Sequence, residues 1–391
     1  MRIVLPAILI NMAANSPVSI VIPCLNEEQS LPLVLSKIKQ LKETFFKNRN
    51  LEIVVSDNGS TDKSVEIARN FGAKVVHCTE KGYGAALQYG IKNASFDIIV
   101  FADADNTYDF LETPNLVRLI DEGSSLVIGA RLKGTIYSGA MPFLHRYVGT
   151  PVLNFFINRL HGKNGAKISD CNSGFRAFDR RAFFVWDVKS SGMEFASEML
   201  VKALRAGSKI AEVPISLYPH EKKRIPHLKT WRDGMRHLLQ ILMEAPAFFD
   251  KFGLSLFSLS WLILIAALIL RKPVSIGVAS IFGIHTMMIA LLGSFFGLTI
   301  WGIGLFLSAK KNTDVRFYNF LIQLPEDQIF WSAIVFIMIS FFLLVLVFVD
   351  WAVHHFMFLS LVRETIVLSA FISNGLLIIS NIITAHMIKR A

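Results

Sequence analysis

The sequence predicts an α/β domain built on a mainly parallel sheet, followed by an α-helical membrane domain with four spans. Three observations carry this expectation. Short β-rich runs alternate with helical periodicity between Ser19 and Ile128. Four long apolar stretches follow Lys251. Charge divides unevenly: residues 1–250 hold 31 Lys/Arg and 25 Asp/Glu, whereas residues 251–391 hold only 9 and 5. The whole chain of 391 residues is 53% hydrophobic and 18% charged, with a net charge of +10. Such a composition excludes a disordered chain, which is poor in apolar residues and rich in charge. Three scattered cysteines, Cys24, Cys78 and Cys171, exclude a disulfide scaffold.

Ser19–Pro23 reads as a first strand. A helix follows, with Leu31, Val34, Leu35, Ile38 and Leu41 at three- and four-residue spacing. Leu51–Ser56 is a second strand, ending at the turn cluster Asp57-Asn58-Gly59-Ser60. Ser60 or Thr61 caps a helix running to Phe71, and Gly72 stops it. Lys74–His77 is a third strand, Gly82–Asn93 a helix, and Ile98–Ala102 a fully apolar fourth strand. Thr113-Pro114 opens a helix that Gly123 ends, and Leu126–Ile128 is a fifth strand. This alternation specifies helices on both faces of the sheet, with ligands beyond the carboxyl ends of its strands. The polar clusters at 23–28, 57–60 and 103–105 should therefore meet on one rim.

The four apolar stretches are Gly253–Leu270, Phe282–Ala309, Ile329–Val349 and Ile366–Ile388, each close to the length that crosses a hydrocarbon core. With four alternating spans, Lys251, Lys310, Lys311, Arg316, Lys389 and Arg390 share one side, against Arg271, Lys272 and Arg363 on the other. That bias predicts an integral, multi-pass membrane protein with residues 1–250 and the C-terminus in the cytoplasm. Asn312–Gln328, with charges and Pro325, reads as an interfacial stretch. Residues 224–252 mix Arg224, Lys229, Arg232 and Arg236 with many apolar residues and read as amphipathic helices on a lipid surface. Residues 1–17 form a lead-in, similar in composition to a signal peptide but with a shorter apolar run.

Asp103-Ala104-Asp105 directly follows the buried fourth strand, and two carboxylates so spaced can share a hard divalent cation that also bridges phosphates. Glu27 and Asp57 supply acceptors suited to ribose hydroxyls and base N–H groups. Lys81-Gly82-Tyr83-Gly84-Ala85-Ala86 is either a phosphate-binding glycine turn or a plain turn into a helix. There is no G-x-x-x-x-G-K-[ST] and no H-E-x-x-H or paired C-x-x-C, so a P-loop and a zinc site lack support. The basic excess carries no nucleic-acid recognition motif, and no nucleic-acid partner is expected.

Together these residues resemble glycosyltransferase family 2, and within it the polyprenyl-phosphate sugar transferases of the dolichol-phosphate mannose synthase type. The matching segments are Pro23–Glu27, Ser56–Asp62, Lys81–Ala86, Asp103–Asp105, Gly129-Ala130-Arg131, Asp170–Arg176, Glu198 and Glu212–Ile215. They span roughly residues 18–240. The resemblance implies a glycosyltransferase-A (Rossmann-like) nucleotide-binding domain over 18–223, interfacial helices over 224–252 and a four-helix membrane domain over 253–391. It implies that Pro23, Leu25, Glu27, Asp57, Lys81, Asp103 and Ala104 hold a nucleotide-sugar. In His220–Arg236 the chain departs from the family pattern, and the basic cluster with Arg224 and Lys229 reads either as a loop closing over the donor diphosphate or as a basic face beside anionic lipid. Mg²⁺ or Mn²⁺ would sit on Asp103 and Asp105. Thr107 stands where relatives carry Gln or Ser as a further ligand. Arg131, Ser173 and Arg176 would grip the acceptor phosphate, Arg131 and Arg176 acting with Asp105 as the catalytic set.

The implied reaction transfers one sugar from a donor of the UDP-glucose or GDP-mannose type to a membrane polyprenyl phosphate, with inversion. Two other readings share parts of this pattern. A membrane polysaccharide or glycolipid synthase is disfavoured because the Q-x-x-R-W motif of those families is missing. A non-catalytic flippase or scaffold subunit is disfavoured by the intact Asp103, Asp105, Arg131 and Arg176.

Overall fold

A computed structural model describes residues 16–162, 167–220, 230–271, 273–276, 279–311, 316–354 and 362–390. The chain divides into two compact units, Met1–Glu244 and Ala245–Ala391.

In the first unit, β1 (Val18–Cys24), β2 (Leu51–Asp57) and β3 (Lys74–His77) pair in parallel, and β4 (Ile98–Phe101) lies parallel on the other side of β1. Between them run α1 (Leu31–Thr44), α2 (Ser64–Asn70) and α3 (Tyr83–Asn93). After β4 come α4 (Thr113–Asp121) and β5 (Leu126–Ala130), then α5 (Thr150–Leu160) and β6 (Arg176–Asp179). α6 (Arg180–Trp186), α7 (Phe195–Arg205), β7 (Ile210–Pro214) and α8 (Thr230–Met243) complete the unit. The seven-stranded order is β3-β2-β1-β4-β6-β5-β7. All strands are parallel except β6, which inserts antiparallel between β4 and β5.

The sheet is buried on both faces, which is why β4 is apolar throughout and β1, fully buried, carries only Ser19 as a polar residue instead of alternating. Successive side chains of β1 feed opposite cores. Ile20 and Ile22 pack with Leu31, Val34 and Leu35 of α1 and with Leu116 and Val117 of α4. Val21 packs with Leu87 of α3 and with Phe195 and Met199 of α7. Every residue expected on the inner face of α1 is buried. The register Cys24↔Asp57 and Val21↔Phe101 brings the carboxyl ends of β1, β2 and β4 to one edge. Because β5 and β7 run the same way, Arg131 and the segment after Pro214 leave from that edge as well.

The second unit holds four helices long and apolar enough to cross a membrane: α9 (Pro246–Leu270), α10 (Ile284–Lys311), and two more after the short α11 (Arg316–Ile322), namely α12 (Glu326–Val353) and α13 (Val362–Arg390). They match the four expected stretches. A two-stranded hairpin, β8 (Val274–Ile276) and β9 (Ala279–Ile281), joins the first pair. Small residues let α9 and α10 approach closely: a Cβ on Gly253 would meet the backbone of Trp301 and Gly297. Asn374 donates to Ser294 Oγ at 2.9 Å and Asn381 to the Leu298 carbonyl at 3.0 Å, tying α13 to α10. One expected boundary moves. α9 continues unbroken from Pro246, because nothing in 246–253 interrupts helical hydrogen bonding, so 252/253 falls inside a helix. α8 alone stands apart as an amphipathic helix. It buries Ile241 and exposes Met235, Leu239 and Met243.

Candidate active site

Pro23 closes β1 inside the sheet, and Leu25 lies half-buried at the rim. The chain then turns through Asn26, whose φ of 56° is left-handed. That turn is stitched to the loop after β2: the Asn26 N–H donates to Ser60 Oγ at 3.0 Å, and the Thr61 N–H donates to Asn26 Oδ1 at 2.8 Å. Glu27 is buried. Its N–H donates to Ser64 Oγ, and its carboxylate accepts from Ser30 Oγ at 2.8 Å. Asp57, the last residue of β2, accepts from the Ser60 N–H at 2.9 Å, and its Oδ2 lies 3.1 Å from His77 Nδ1. Burial acts to raise its pKa, but the donors from Ser60, His77 and Gly59 outweigh that and hold the carboxyl below its ordinary value. Asp57 is therefore an ionised acceptor at the rim.

Lys81 does not project across the rim. Its Nζ donates to the Asn58 carbonyl at 2.9 Å, over Gly59, where a Cβ would collide with it. The glycine turn that follows is a packing device. A Cβ on Gly82 or Gly84 would strike the carbonyls of Ser191 and Ser190, so both glycines let α3 lie against that backbone. The close approach fixes Tyr83, whose hydroxyl donates to Asp103 Oδ1 at 2.8 Å. Burial, then the neighbouring Asp103 carboxylate, push the Tyr83 phenol far above its usual value, so it stays a donor.

Beyond β4, Ala104 is buried and Asp105 is 5% exposed. Asp105 Oδ1 accepts from the N–H of Thr107 at 3.1 Å and from its hydroxyl at 2.6 Å. Thr107 thus orients Asp105, acting through that carboxylate more than as a ligand of its own. Asp105 Oδ2 faces Nδ1 of His220 at 3.3 Å. The tail after β7 delivers this histidine. Leu217 bridges Tyr108, and the Tyr218 N–H donates to the Thr107 carbonyl at 2.9 Å. Two carboxylates and an imidazole are a donor set suited to Mn²⁺ or Mg²⁺. Among the described residues no three such side chains already close on one point, so an ion there would take further oxygens from a bound diphosphate.

Arg131 donates through Nε and Nη2 to both oxygens of Asp170, at 2.8 and 2.7 Å, and its N–H adds a third bond at 2.9 Å. Asp170 is itself fully buried. Burial lowers and the surrounding anionic groups raise the Arg131 pKa, and the net is upward: a fixed cation at the rim, with Nη1 outside the Asp170 fork.

The structure corrects the expectation for Arg176 and Ser173. Arg176 is fully buried, and its guanidinium donates to the carbonyls of Ser173, Ala196 and Cys171 at 3.0, 2.7 and 2.7 Å. Ser173 is equally buried, and its hydroxyl accepts from the Phe175 N–H. Neither reaches an acceptor phosphate. Together they clamp the 171–176 loop behind Asp103, where Gly174 leaves room for that carboxylate. Arg224 and Lys229 lie outside the described residues.

Comparison with known proteins identifies the family. Residues 19–184 match Glycosyl transferase family 2. A glycosyltransferase of Mycobacterium bovis, itself uncharacterised, is 33% identical over 53% of this chain and 87% of its own. A dolichyl-phosphate hexose transferase of Haloferax volcanii is 31% identical over 50% of this chain and 81% of its own. A low-salt glycan biosynthesis hexosyltransferase of the same organism is 39% identical over 269 residues, which are 68% of this chain and 62% of that protein. Among solved structures, a Mycobacterium tuberculosis glucosyl-3-phosphoglycerate synthase with Mn²⁺, UDP and glucosyl-3-phosphoglycerate is 25% identical, with a TM-score of 0.48, over 59% of this chain and 81% of its own. The chain belongs to glycosyl transferase family 2.

His220, Tyr83 and Asp170 escaped the sequence reading as site residues. His220 was hidden at the head of a basic run, and only its pairing across Tyr108 and Leu217 brings it to Asp105.

Proposed function

We propose that this chain transfers a single sugar from a nucleotide-diphosphate sugar to a membrane polyprenyl phosphate, with inversion at the anomeric carbon. The observation that carries this reading is the joining, in one chain, of a rim that unites Glu27, Asp57, Asp103, Asp105 and His220 with four span-length helices. The dolichyl-phosphate hexose transferase among its relatives supports a lipid-phosphate acceptor. Glu27 and Asp57 hold the nucleoside, and Asp103, Asp105 and His220 would hold Mg²⁺ or Mn²⁺. When bound, that ion neutralises charge developing on the leaving diphosphate.

The acceptor phosphate oxygen attacks the anomeric carbon from the face opposite the diphosphate. The new C–O bond forms as the old one breaks, and the nucleoside diphosphate departs with the bonding pair. A phosphate monoester carries its charge near neutral pH, so no general base is needed. Arg131 supplies fixed positive charge for the incoming phosphate, held in place by Asp170. The four helices lie in the membrane with the catalytic unit and the C-terminus on the cytoplasmic side.

The test is transfer by the full chain in lipid nanodiscs containing polyprenyl phosphate, nucleotide-sugar and Mn²⁺. Wild type should form lipid-linked sugar and Asp105→Ala should form none. Full activity in the variant would remove the metal assignment.

A further inference from the structure

The segment between β5 and β6 is almost free of acidic residues: its one carboxylate, Asp170, is buried against Arg131. Arg131–Ser169 contains six Lys/Arg and no Asp or Glu. Its helix α5 buries Thr150, Leu153, Asn154 and Ile157. The outward face of a helix on a water-soluble body should be polar. Here it carries Val152 and Phe155, in line with Val148 just ahead of the helix, and Arg159 below. Phe143 and Tyr147 stand just before, and the Arg146 guanidinium lies 5.3 Å over the Tyr147 ring. Phe143 is 74% exposed and Phe155 62%, values that an isolated surface residue can show but that a contiguous aromatic and aliphatic stripe does not without a purpose.

This stripe does not stand alone. α5 packs against α8, with His161 Nε2 3.0 Å from the Ile241 carbonyl, and α8 exposes its own apolar row of Met235, Leu239 and Met243. The segment also begins beside the rim: after burial, the charge of Arg131 holds the neighbouring His145 below its ordinary pKa.

We infer that the outer face of 143–159 is a lipid-docking surface. Phe143, Tyr147, Val152 and Phe155 enter the headgroup region, and Arg146 and Arg159 contact anionic headgroups. Apolar anchors combined with bases and no carboxylate are the composition that binds an anionic bilayer surface, with side chains reaching about 5–10 Å into it. A protein partner would leave the lack of every acidic residue unexplained. Docking here would set the height of the rim above the bilayer, beside Arg131. The inference rests on the membrane reading above but not on the identity of the acceptor.

The test uses the full chain in nanodiscs. All three native cysteines are buried, so an environment-sensitive dye can be placed on an introduced one. Tyr147→Cys and Phe155→Cys are the probes, Glu66→Cys on exposed α2 is the dry control, and Ile337→Cys on α12 reports the membrane. With phosphatidylglycerol discs carrying spin-labelled lipid, the dyes at 147 and 155 should be quenched at least two-fold and the dye at 66 should not. Replacing phosphatidylglycerol by phosphatidylcholine should at least halve the quenching at 147. If 337 is quenched but 147 and 155 behave like 66, the docking surface is wrong and the membrane reading stands. If 337 is also unquenched, both fall. Equal quenching in the two lipids would overturn the role of the bases. Unquenched probes in discs holding two chains would assign the face to a second copy.

Discussion

His220 Nδ1 lies 3.3 Å from Asp105 Oδ2, joining the tail after the last strand of the sheet to the loop after its fourth. The contact puts an imidazole nitrogen against the Asp105 carboxylate at the rim. His220→Ala should raise the Mn²⁺ concentration needed for half-maximal transfer by roughly 10–100-fold, the usual scale for losing an interaction that supports a metal site. Asp105→Ala should remove metal-dependent activity altogether. Metal titrations of transfer, paired with Mn²⁺ binding measured by electron paramagnetic resonance, read both. An unchanged titration for His220→Ala would remove the histidine from the site.

Arg176 should behave as a structural residue. Truncation to Ala removes the hydrogen bonds to the buried carbonyls of Ser173, Ala196 and Cys171. Each lost bond to a charged group is worth about 1.5–3 kcal/mol. Arg176→Ala should lower the thermal midpoint of the catalytic unit sharply, and Arg176→Lys should rescue little, since an ammonium cannot span the three acceptors. A variant of normal stability with only its acceptor KM raised would restore the phosphate-binding role.

Gly84→Ala tests the packing role of the glycine turn. The added Cβ meets the Ser190 carbonyl and the Phe195 side chain. Overpacking of this kind costs about 1–3 kcal/mol and would push Tyr83 away from Asp103. Stability and kcat should fall together. Loss of donor affinity alone, at wild-type stability, would indicate a phosphate loop instead.

The catalytic unit should weaken in mild acid through His237. This residue of α8 is buried, with Nδ1 2.6 Å from Ser197 Oγ, and burial lowers its pKa to about 4. The unfolded chain takes up the proton near the ordinary value of about 6.5, well before the folded one. Stability is thus full above that value and is lost as pH falls toward 4. The loss is on the order of 3 kcal/mol. Thermal midpoints between pH 7.5 and 4.5 should drop for wild type and flatten for His237→Gln. Parallel curves would contradict the assignment.

Much of this architecture was legible because it obeys local rules. The inner face of α1, the apolar β4 and the four long apolar helices announce themselves by periodicity or length, and the parallel order then forces Glu27, Asp57 and Asp103 onto one edge. β6 escaped the reading because Arg176 and Asp179 bracket only two apolar residues, so the strand reads as a polar loop until the sheet encloses it. The same burial inverted the role of Arg176, since residue type suggests exposure and only three-dimensional context supplies three carbonyls. His220 depends on pairing between segments distant in sequence, for which no local pattern exists. At Gly82 and Gly84 the sequence left two readings open, and the backbone of 190–192 decided between them.

The most direct test of the account is where the sugar goes. Purified full-length chain in nanodiscs should be given a panel of radiolabelled nucleotide-sugars and Mn²⁺, with polyprenyl phosphate and a soluble phosphate-bearing acceptor, 3-phosphoglycerate, competing in the same reaction. The account predicts label from one donor in a mild-acid-labile lipid, and none there with Asp105→Ala. Label accumulating in the water-soluble acceptor, with the lipid unlabelled, would contradict it.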